Sequence, residues 1–375
     1  MNPPQFTGKN CEIIANWERN LKLQQLKETT VNLKLWSIYT FLKFHDFKPA
    51  DQLTKTDIEN YILHRRSTRK PKTVHNDIIE IRLFYKWLSP DNDYFDGIKS
   101  RSPKNTLPVD QLISPADVMQ LVSGCQNQRD RALVMLLWDS AGRLSEILNL
   151  NVGGVQFDQY GAVVIVDGKT GMRRIRLIDS VPDLQNWLNM HLCRDDPNAP
   201  LFVTTRMYED KTRRLDKRTV QNMLKTVAKR ANVKKNIHPH ALRHAKLTDL
   251  VKKGFSEMEL RIMAGWENNS DMPAVYIHLS GADVENKILE KNGLIKESED
   301  TQAPPTKPKE CPRCRTNNAP DAKYCMTCSM VLSVEMAKEI ESTSKQVPDA
   351  LALLMSNPEM QAMITQKMKE VMGSV

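Results

Sequence analysis

A histidine, an arginine and a tyrosine in the second half of the sequence have the types and spacing to act on a phosphodiester. His240 and Arg243 stand three positions apart, and side chains at that spacing share one face of a helix. Trp266 follows a glycine about one helical hairpin later, and Tyr276 comes ten residues after it. A tyrosine folded back towards the pair could attack a phosphate, although an isolated His-x-x-Arg is more common on ordinary exposed helices.

Positive charge is concentrated around these residues. The 375-residue chain carries 54 Lys and Arg against 45 Asp and Glu, a formal net charge of +9. Residues 201–261 alone hold sixteen Lys and Arg against six Asp and Glu, an excess larger than that of the whole chain. Such a patch favours a polyanionic partner, and a solvated basic helix face is the open alternative.

An arginine after a helix break is a further candidate for binding phosphate. Residues 129–138 are rich in leucine and valine and predict a helix. Gly142 is expected to break it, which places Arg143 at the start of the next helix, where backbone N–H groups favour an anion. Glu146 is one turn further on, where it can pair with Arg143 or orient it, although such pairs are also common on helix surfaces.

A lysine stands at the tip of a predicted β-hairpin. Two runs rich in β-branched residues, 163–166 and 174–178, flank the turn sequence Asp-Gly-Lys-Thr-Gly. Lys169 lies in this turn, from which it can reach into a groove or towards a leaving group. Taken by itself, a lysine at a hairpin tip is more simply a solvated side chain.

The N-terminal part of the chain predicts a compact helical domain over residues 11–99. Basic residues 64–72 are expected to form a loop between two of its helices, either along a phosphate backbone or simply solvated. Apolar residues at intervals of four, three and four predict one buried helical stripe, formed by Val31, Leu35, Ile38 and Leu42.

A polar stretch with two prolines, residues 100–108, separates this domain from a second one. Ser114 and Pro115 then predict a helix start, with Ser114 as the N-cap. The second domain is expected over residues 109–290 and combines further helices with the hairpin. A linker over 292–310, dominated by Lys, Glu, Ser, Thr and Pro, follows it.

Four of the seven cysteines lie in a short C-terminal stretch and predict a metal site. They form two Cys-x-x-Cys pairs separated by ten residues, which suits tetrahedral thiolate coordination of zinc. Residues 311–330 have little core of their own, so the metal is expected to supply most of their folding free energy. Four thiolates leave no open position, which indicates a structural ion. The ligands are Cys311, Cys314, Cys325 and Cys328.

Residues 334–375 predict a helical, methionine-rich tail that suits packing against a partner or against its own chain. No apolar run approaches the roughly 20 residues needed to cross a bilayer, and the N-terminus lacks a signal-peptide pattern. We therefore expect a soluble, cytoplasmic protein. The scattered remaining cysteines also suit a reducing compartment rather than a disulfide framework.

The order and spacing of the candidate residues resemble those of the tyrosine recombinases of the phage integrase family. The family pattern is an arginine after a helix break, a lysine on a β-hairpin, His-x-x-Arg, a histidine or tryptophan after glycine, and a tyrosine. The resemblance covers about residues 11–290, because the N-terminal helices resemble the family's SAM-like core-binding domain. The zinc ribbon and the tail resemble additions on some archaeal integrases. The matching residues are Arg143, Lys169, His240, Arg243, Trp266 and Tyr276.

The resemblance implies an α+β fold. A helical SAM-like core-binding domain would precede a mainly helical catalytic domain with a small β-sheet, and a small zinc ribbon would follow. It also implies that Tyr276 attacks DNA and forms a 3′-phosphotyrosyl bond, with neither metal nor nucleotide needed for the reaction. Arg143 and Arg243 would hold the nonbridging oxygens of the phosphate.

The remaining roles also come from the resemblance. Lys169 would protonate the departing 5′ oxygen, although nearby Arg173 or Arg174 could take that role. His240 would assist proton transfer. Trp266 would donate its indole N–H to the phosphate, where many relatives use histidine. His244 is a neighbour without an assigned role.

The implied function is site-specific DNA recombination, in integration, excision or dimer resolution. The implied partner is double-stranded DNA, bound by a homotetramer on two DNA sites, and an accessory protein bound through the tail is an open possibility. Two other functions stay open. One is a DNA-binding regulator without catalysis, and the other is a type IB topoisomerase, which uses similar residues without a defined site.

Overall fold

The computed structural model describes most of the chain as two units, Met1–Thr106 and Leu107–Val375, each with a core of its own. Among the described residues, no helix has the length and apolar composition that crossing a bilayer requires. The described residues are 4–101, 111–168, 171–204, 212–267, 270–273, 276 and 306–343, with five further positions between 358 and 367.

The first unit consists of helices around one apolar core. The predicted stripe of four residues is buried in its second helix, as the periodicity indicated. Full burial of each such side chain contributes roughly 1.5–3 kcal/mol. Thr54 and Asp57 form a capping box that starts the third helix. The helices are α1 (Lys9–Leu23), α2 (Glu28–Phe44), α3 (Lys55–Thr68) and α4 (Pro71–Leu88).

The basic segment at residues 64–72 is not a loop, and that prediction was wrong. Helix α3 continues through Thr68 and α4 begins at Pro71, so Arg69 and Lys70 form the whole connection. Proline is well tolerated at the first position of a helix, because the N–H that it lacks would have no partner within the helix. This allows α4 to begin without an intervening loop.

The second unit is built around one central helix, α6 (Gln128–Asp139). Its residues from Ala132 to Trp138 are all completely buried, as expected for a helix covered on every side. The preceding helix begins as predicted, with Pro115 first and a capping box between Ser114 and Asp117. The other helices are α5 (Pro115–Ser123), α7 (Leu144–Leu148), α8 (Val181–Asn189), α9 (Lys217–Arg230), α10 (Pro239–Lys252) and α11 (Glu257–Ala264).

A three-stranded antiparallel sheet belongs to the second unit, with strands in chain order. Its last two strands form the predicted hairpin, and Gly168 pairs with Gly171 at the hairpin end. The first strand was not predicted, because it has four residues and only Val155 at its start is buried. The strands are β1 (Val155–Asp158), β2 (Gly161–Gly168) and β3 (Gly171–Leu177).

The predicted linkers over 100–108 and 292–310 lie largely outside the described residues. After the second one, β4 (Lys309–Glu310) and β5 (Asn317–Asn318) pair antiparallel around the first two cysteines. Residues 334–343 are helical, as expected for the start of the tail, and most of the remaining tail lies outside the described part of the chain.

Candidate active site

Helix α10 begins at the residues that carry the histidine–arginine motif. His238 is its N-cap: the Ala241 N–H donates a hydrogen bond to His238 Nδ1 at 3.2 Å, and Pro239 occupies the first helical position. The cap fixes where the helix starts, and therefore where His240 and Arg243 lie. His238 was not predicted as a site residue, because histidine is not among the preferred N-cap residues.

Arg243 is buried, with 5% of the residue exposed. Its guanidinium donates to the carbonyl of Ala141 at 2.6 Å and to the carbonyl of Ala264 at 2.7 Å. One side chain therefore ties α10 to the segment after α6 and to the end of α11. Burial, together with the charges of Arg143 and Arg173, lowers the pKa of Arg243 to about 10, so it stays protonated at neutral pH.

Arg143 directly precedes α7, as predicted, and a buried carboxylate holds it there. Its Nη1 donates to Glu146 Oε1 at 2.7 Å, and its Nη2 donates to the carbonyl of Gly265 at 3.0 Å. Glu146 also accepts two hydrogen bonds from Arg173, at 3.0 and 2.7 Å. Burial alone would raise the pKa of Glu146, but the hydrogen bonds from Arg173 and Arg143 lower it to about 2.

The turn between α6 and α7 depends on two small residues. Helix α6 ends at Asp139, and Ala141, not Gly142, adopts the left-handed conformation, with φ +46°. Gly142 is needed for space instead, because a Cβ atom there would lie 2.8 Å from Ile147 Cδ1 and 3.0 Å from Ser140 Oγ. The helix ends close to the predicted position, and close packing rather than backbone freedom explains the glycine.

Trp266 follows a glycine that ends α11 in the left-handed conformation. Gly265 has φ +61°, and a Cβ atom there would lie 2.8 Å from Arg173 Nη1. The Trp266 ring stacks on the Tyr276 ring with centroids 5.5 Å apart and planes 26° apart. The guanidinium of Arg243 lies 5.9 Å from the centroid of the Trp266 ring.

Tyr276 is completely buried among these residues. Its hydroxyl forms a hydrogen bond with Nδ1 of His244, and the two ring centroids are 5.6 Å apart. Burial raises the pKa of Tyr276 above its usual value, against an opposite effect of Arg243. Burial, with the neighbouring His240 and Arg243, also lowers the pKa of His244 to about 4.

His240 is exposed and lines a groove of about 460 Å³ together with Arg143. Helix α9 lines the same groove through Lys217, Gln221 and Lys225, which recur every four residues and so share one helix face. Partial desolvation and the two neighbouring arginines lower the pKa of His240. The groove therefore combines a neutral imidazole with cationic walls.

Five of the six predicted site residues thus lie in one region of the second unit. Arg143 and His240 line the groove, while Arg243, Trp266 and Tyr276 form a continuous series of ring and guanidinium contacts. These contacts join residues that are far apart in the sequence.

The sixth predicted residue, Lys169, lies outside the described residues. The hairpin that carries it does end at the site, because Gly168 packs against the Arg143–Glu146 pair. A Cβ atom at Gly168 would lie 2.4 Å from Glu146 Oε1 and 3.4 Å from Arg143 Nη1. Glycine at this position therefore allows β2 to approach the arginine.

Arg173 is a site residue that was predicted only as a possible substitute for Lys169. Its side chain is 9% exposed, pairs with Glu146, and donates to the carbonyl of Met263 at 3.1 Å. These contacts link β3 to α7 and to α11. One sequence signal could have found it: residues two apart on a strand share a face, and Ile175, two residues on, is buried.

The four C-terminal cysteines converge, and their Sγ atoms all lie within 4.8 Å of one another. Two pairs of Sγ atoms are 3.6 and 3.4 Å apart, much longer than the about 2.05 Å of a disulfide bond. A regular tetrahedron with Zn–S bonds of about 2.3 Å has edges of roughly 3.8 Å. The donor set therefore fits a zinc ion, which would be held by Cys311, Cys314, Cys325 and Cys328.

The two Cys-x-x-Cys turns have the same backbone conformation. The Arg315 N–H donates to the carbonyl of Cys311, and the Ser329 N–H donates to the carbonyl of Cys325. Arg315 and Ser329 are both left-handed, with φ +58° and +57°. This repetition orients both pairs of thiols towards one point.

The four-cysteine segment, residues 311–330, contacts the second unit through an arginine of α6. Arg131 donates to both carboxylate oxygens of Asp321, at 2.9 and 2.5 Å, and also to Asp183 at 2.8 Å. Thr306, just before the segment, is buried and donates to Asp179 at 3.1 Å. Two-point pairing of this kind fixes orientation as well as distance.

Two family models match the chain. The phage integrase family matches residues 109–282, and the N-terminal SAM-like domain of phage integrases matches residues 13–92. The tyrosine recombinase XerC of Alcanivorax borkumensis is 30% identical over 250 residues, which are 62% of this chain and 77% of that protein. The tyrosine recombinase XerA of the archaeon Pyrococcus horikoshii is 23% identical, over 70% of this chain and 87% of that protein.

A solved structure shares the fold. The crystal structure of a lambda integrase dimer bound to a COC′ core site matches with a TM-score of 0.56 at 12% identity, over 71% of this chain and 94% of that chain. The predicted fold class, with its helical SAM-like domain and a mainly helical catalytic domain with a small sheet, is confirmed. The chain therefore belongs to the phage integrase family and is a site-specific tyrosine recombinase, an enzyme of DNA strand transfer.

Proposed function

We propose that Tyr276 is the nucleophile that attacks a DNA phosphodiester and forms a 3′-phosphotyrosyl bond. The convergence of His244, Trp266 and the buried Arg243 around this one tyrosine is the observation that supports the assignment. A phenol with its usual pKa of about 10 is a weak nucleophile, so it needs a positive, preorganised setting. Arg243 supplies positive charge close to Tyr276 and favours its ionised form.

Arg143 and Arg243 bind the nonbridging oxygens and stabilise the charge that builds up on phosphorus as five bonds form around it. Each guanidinium is held by carbonyl or carboxylate oxygens before any phosphate arrives. The arginines therefore need little reorganisation in the transition state, which is where preorganised charges accelerate a reaction most.

The leaving group and the phosphate need further donors. We assign Lys169 to protonation of the departing 5′ oxygen, supported by the end of its hairpin beside Arg143. His240 assists proton transfer from the wall of the groove, and Trp266 donates its indole N–H to the phosphate.

Double-stranded DNA is the partner. Lys217 and Lys225 on one face of α9 add positive charge to the groove that Arg143 lines, which suits contacts with phosphates. The first unit has a cationic surface of its own, where Arg66, Arg69 and Arg101 line a cavity of about 210 Å³. Solved structures of related fold contain DNA: the lambda integrase dimer lies on a core site.

We further propose residues 11–99 as the core-binding domain, 109–290 as the catalytic domain, 311–330 as a zinc ribbon and 334–375 as a helical tail. The active assembly is a homotetramer on two DNA sites, because strand exchange needs a nucleophile at each of four strands. The tail is the segment available to an accessory protein. Zinc in the four-cysteine segment is structural, because the four thiolates leave no position for a substrate.

A nicked suicide substrate tests the proposal, because cleavage near the nick releases a short fragment and traps the protein on DNA. The substrates are taken from the DNA flanking the gene. The wild-type chain is expected to form a covalent adduct. Tyr276→Phe is expected to bind the same DNA without forming one, while Tyr160→Phe, at a 71% exposed tyrosine, is expected to behave as wild type.

The same assay separates the alternatives. A DNA-binding regulator would leave no protein attached to any substrate. A type IB topoisomerase would relax a supercoiled plasmid that lacks the site, whereas a recombinase requires paired sites. An adduct that persists in Tyr276→Phe would remove Tyr276 from the mechanism.

A further inference from the structure

His244 contacts the reacting atom of the proposed nucleophile, yet none of the roles assigned above uses it. Its Nδ1 is hydrogen-bonded to the Tyr276 hydroxyl, and the two rings are tilted by 32° with centroids 5.6 Å apart. Trp266 also stacks on the Tyr276 ring. One hydrogen bond and two ring contacts therefore hold the hydroxyl of the nucleophile at the imidazole of His244.

The surroundings of His244 favour a neutral imidazole. Its partial burial and the nearby His240, Arg243 and His238 all disfavour the charged form. A neutral imidazole has one acceptor nitrogen and one N–H, and we assign the tautomer with its proton on Nε2, in which Nδ1 accepts from the Tyr276 hydroxyl. His244 is thus in the protonation state that can take up a proton.

The position of His244 is fixed by its helix. The preceding residue, Arg243, anchors α10 to two other segments through its carbonyl contacts. Two residues further on, Lys246 is buried and lies 3.3 Å from Asp179 and 3.7 Å from Asp139. An acceptor on a helix anchored at both sides is held accurately enough to orient a nucleophile.

We propose that His244 is a catalytic residue that accepts the hydroxyl proton of Tyr276 during DNA cleavage. As the bond between Tyr276 Oη and phosphorus forms, the O–H bond breaks and its proton moves to His244 Nδ1. The bond between phosphorus and the 5′ oxygen breaks, and that oxygen leaves with a proton from Lys169. In rejoining, the 5′ hydroxyl attacks phosphorus and gives its proton to Lys169, and His244 returns its proton to Tyr276. This inference rests on the proposed role of Tyr276.

The bound phosphodiester makes this transfer easier. Its negative charge offsets the charge of Arg243, which in the free protein disfavours an imidazolium at His244. His240 has a different position, because it is exposed on the groove and its ring centroid is 6.5 Å from that of His244. His244 therefore contacts the nucleophile, whereas His240 faces the groove.

Two substitutions at His244 separate a proton acceptor from a packing residue. His244→Leu removes the acceptor, whereas His244→Asn places an amide oxygen at the same number of bonds from the backbone as Nδ1. We expect His244→Leu to slow single-turnover adduct formation about 100-fold, in the range of a lost acid or base. His244→Asn is expected to recover about tenfold of this rate, because it restores the hydrogen bond but not the base. DNA affinity and the unfolding midpoint, measured for both, should stay near wild type.

A substrate whose 5′-bridging oxygen is replaced by sulfur shows whether a residue acts on the leaving group or on the nucleophile. A thiolate leaves without a proton, so this substrate should restore the rate of Lys169→Ala and leave His244→Leu slow. Restoration of the His244→Leu rate by the sulfur substrate would overturn the proposal. A His244→Leu rate equal to that of wild type on the ordinary substrate would also overturn it. So would a faster rate, because it would show that the contact restrains the nucleophile. If Tyr276→Phe still forms the adduct, the proposed function itself fails; if it is inert while His244→Leu is normal, only the role of His244 fails.

Discussion

Glu146 is the buried carboxylate that holds two arginines of the site in place. It is 2% exposed and pairs with both Arg143 and Arg173, so one carboxylate compensates two guanidinium groups that would otherwise repel each other. Loss of one partner from a buried ion pair costs much more than loss of an exposed pair, because the remaining charges stay desolvated. Glu146 thus positions the arginine that is proposed to bind phosphate.

Glu146→Gln should therefore lower the free energy of unfolding by about 3 kcal/mol, the usual size of this effect. Urea denaturation measures the change. Asp158→Asn is the matched control, because Asp158 also pairs with an arginine of β3, Arg176, but at the protein surface. An equal loss of stability in both variants would contradict the account of Glu146.

The contribution of Glu146 should also depend on pH. Its pKa is about 2 in the folded protein, against about 4.3 for an unperturbed glutamate. A lowered folded pKa means that the stabilisation is complete above about pH 4.3 and is lost as the pH falls towards 2. The difference in unfolding free energy between wild type and Glu146→Gln should narrow below about pH 4. A difference in unfolding free energy that stays constant down to about pH 2.5 would contradict this account of Glu146.

At the scale of elements, the site depends on where helices and strands end. Helix α11 ends at Gly265, whose carbonyl accepts from Arg143 and whose missing side chain leaves room for Arg173. Strand β2 ends at Gly168, which packs against Glu146. Two glycines thus allow two element ends to approach the same buried charges.

Gly265→Ala should slow DNA cleavage more than its effect on stability suggests. Its φ of +61° costs an alanine about 1–2 kcal/mol, and the new Cβ displaces Arg173 from Glu146. Gly97→Ala is the control, because Gly97 has φ +78° with no atom within 4 Å of an added Cβ. Both variants should unfold more easily, while single-turnover cleavage should fall at least tenfold in Gly265→Ala and stay normal in Gly97→Ala. Equal cleavage rates would contradict the steric argument.

Elements with local signals were predictable from the sequence. The stripe of α2 follows from its spacing, and the start of α5 follows from Ser114 and Pro115. The loop predicted at residues 64–72 is absent, because α3 continues through Thr68 and Pro71 starts α4.

The candidate site was predictable as a set of residue types and not as a set of contacts. The contact of Arg243 with Ala141 spans 102 residues, and that of Tyr276 with His244 spans 32. No local pattern specifies such pairs, because they depend on how helices pack. Arg173 was missed for this reason, since its partner Glu146 lies 27 residues before it.

At the scale of the whole molecule, the four-cysteine segment is a part of the second unit. The pairing of Arg131 with Asp321 and the buried Thr306 hold it against α6 and the residues before α8. With four thiols around one point and few apolar residues, we expect its fold to depend on a bound metal ion.

We expect one zinc ion per chain and its loss in Cys325→Ser, measured by elemental mass spectrometry on purified protein. Residues 311–330 should then become sensitive to protease, because the metal supplies their folding free energy. Cys11→Ser, at an exposed cysteine of the first unit, should keep the ion. A full zinc content in Cys325→Ser would exclude the four-thiolate site.

DNA binding should depend steeply on salt, because phosphate contacts release counterions. Lys225→Gln should reduce the slope of log K against log salt by about 1, the effect of one lost phosphate contact. Lys229→Gln, one turn further along α9 and not among the residues that line the groove, should leave the slope unchanged. Identical slopes for both variants and wild type would exclude the groove as the path of the DNA.

The most direct test of the account is to identify the residue that becomes linked to DNA. The trapped adduct is digested with nuclease and protease, and the peptide that carries a nucleotide is sequenced by mass spectrometry. The account predicts a nucleotide 3′-phosphate on Tyr276. A nucleotide on any other residue, or a linkage through a 5′-phosphate, would contradict it.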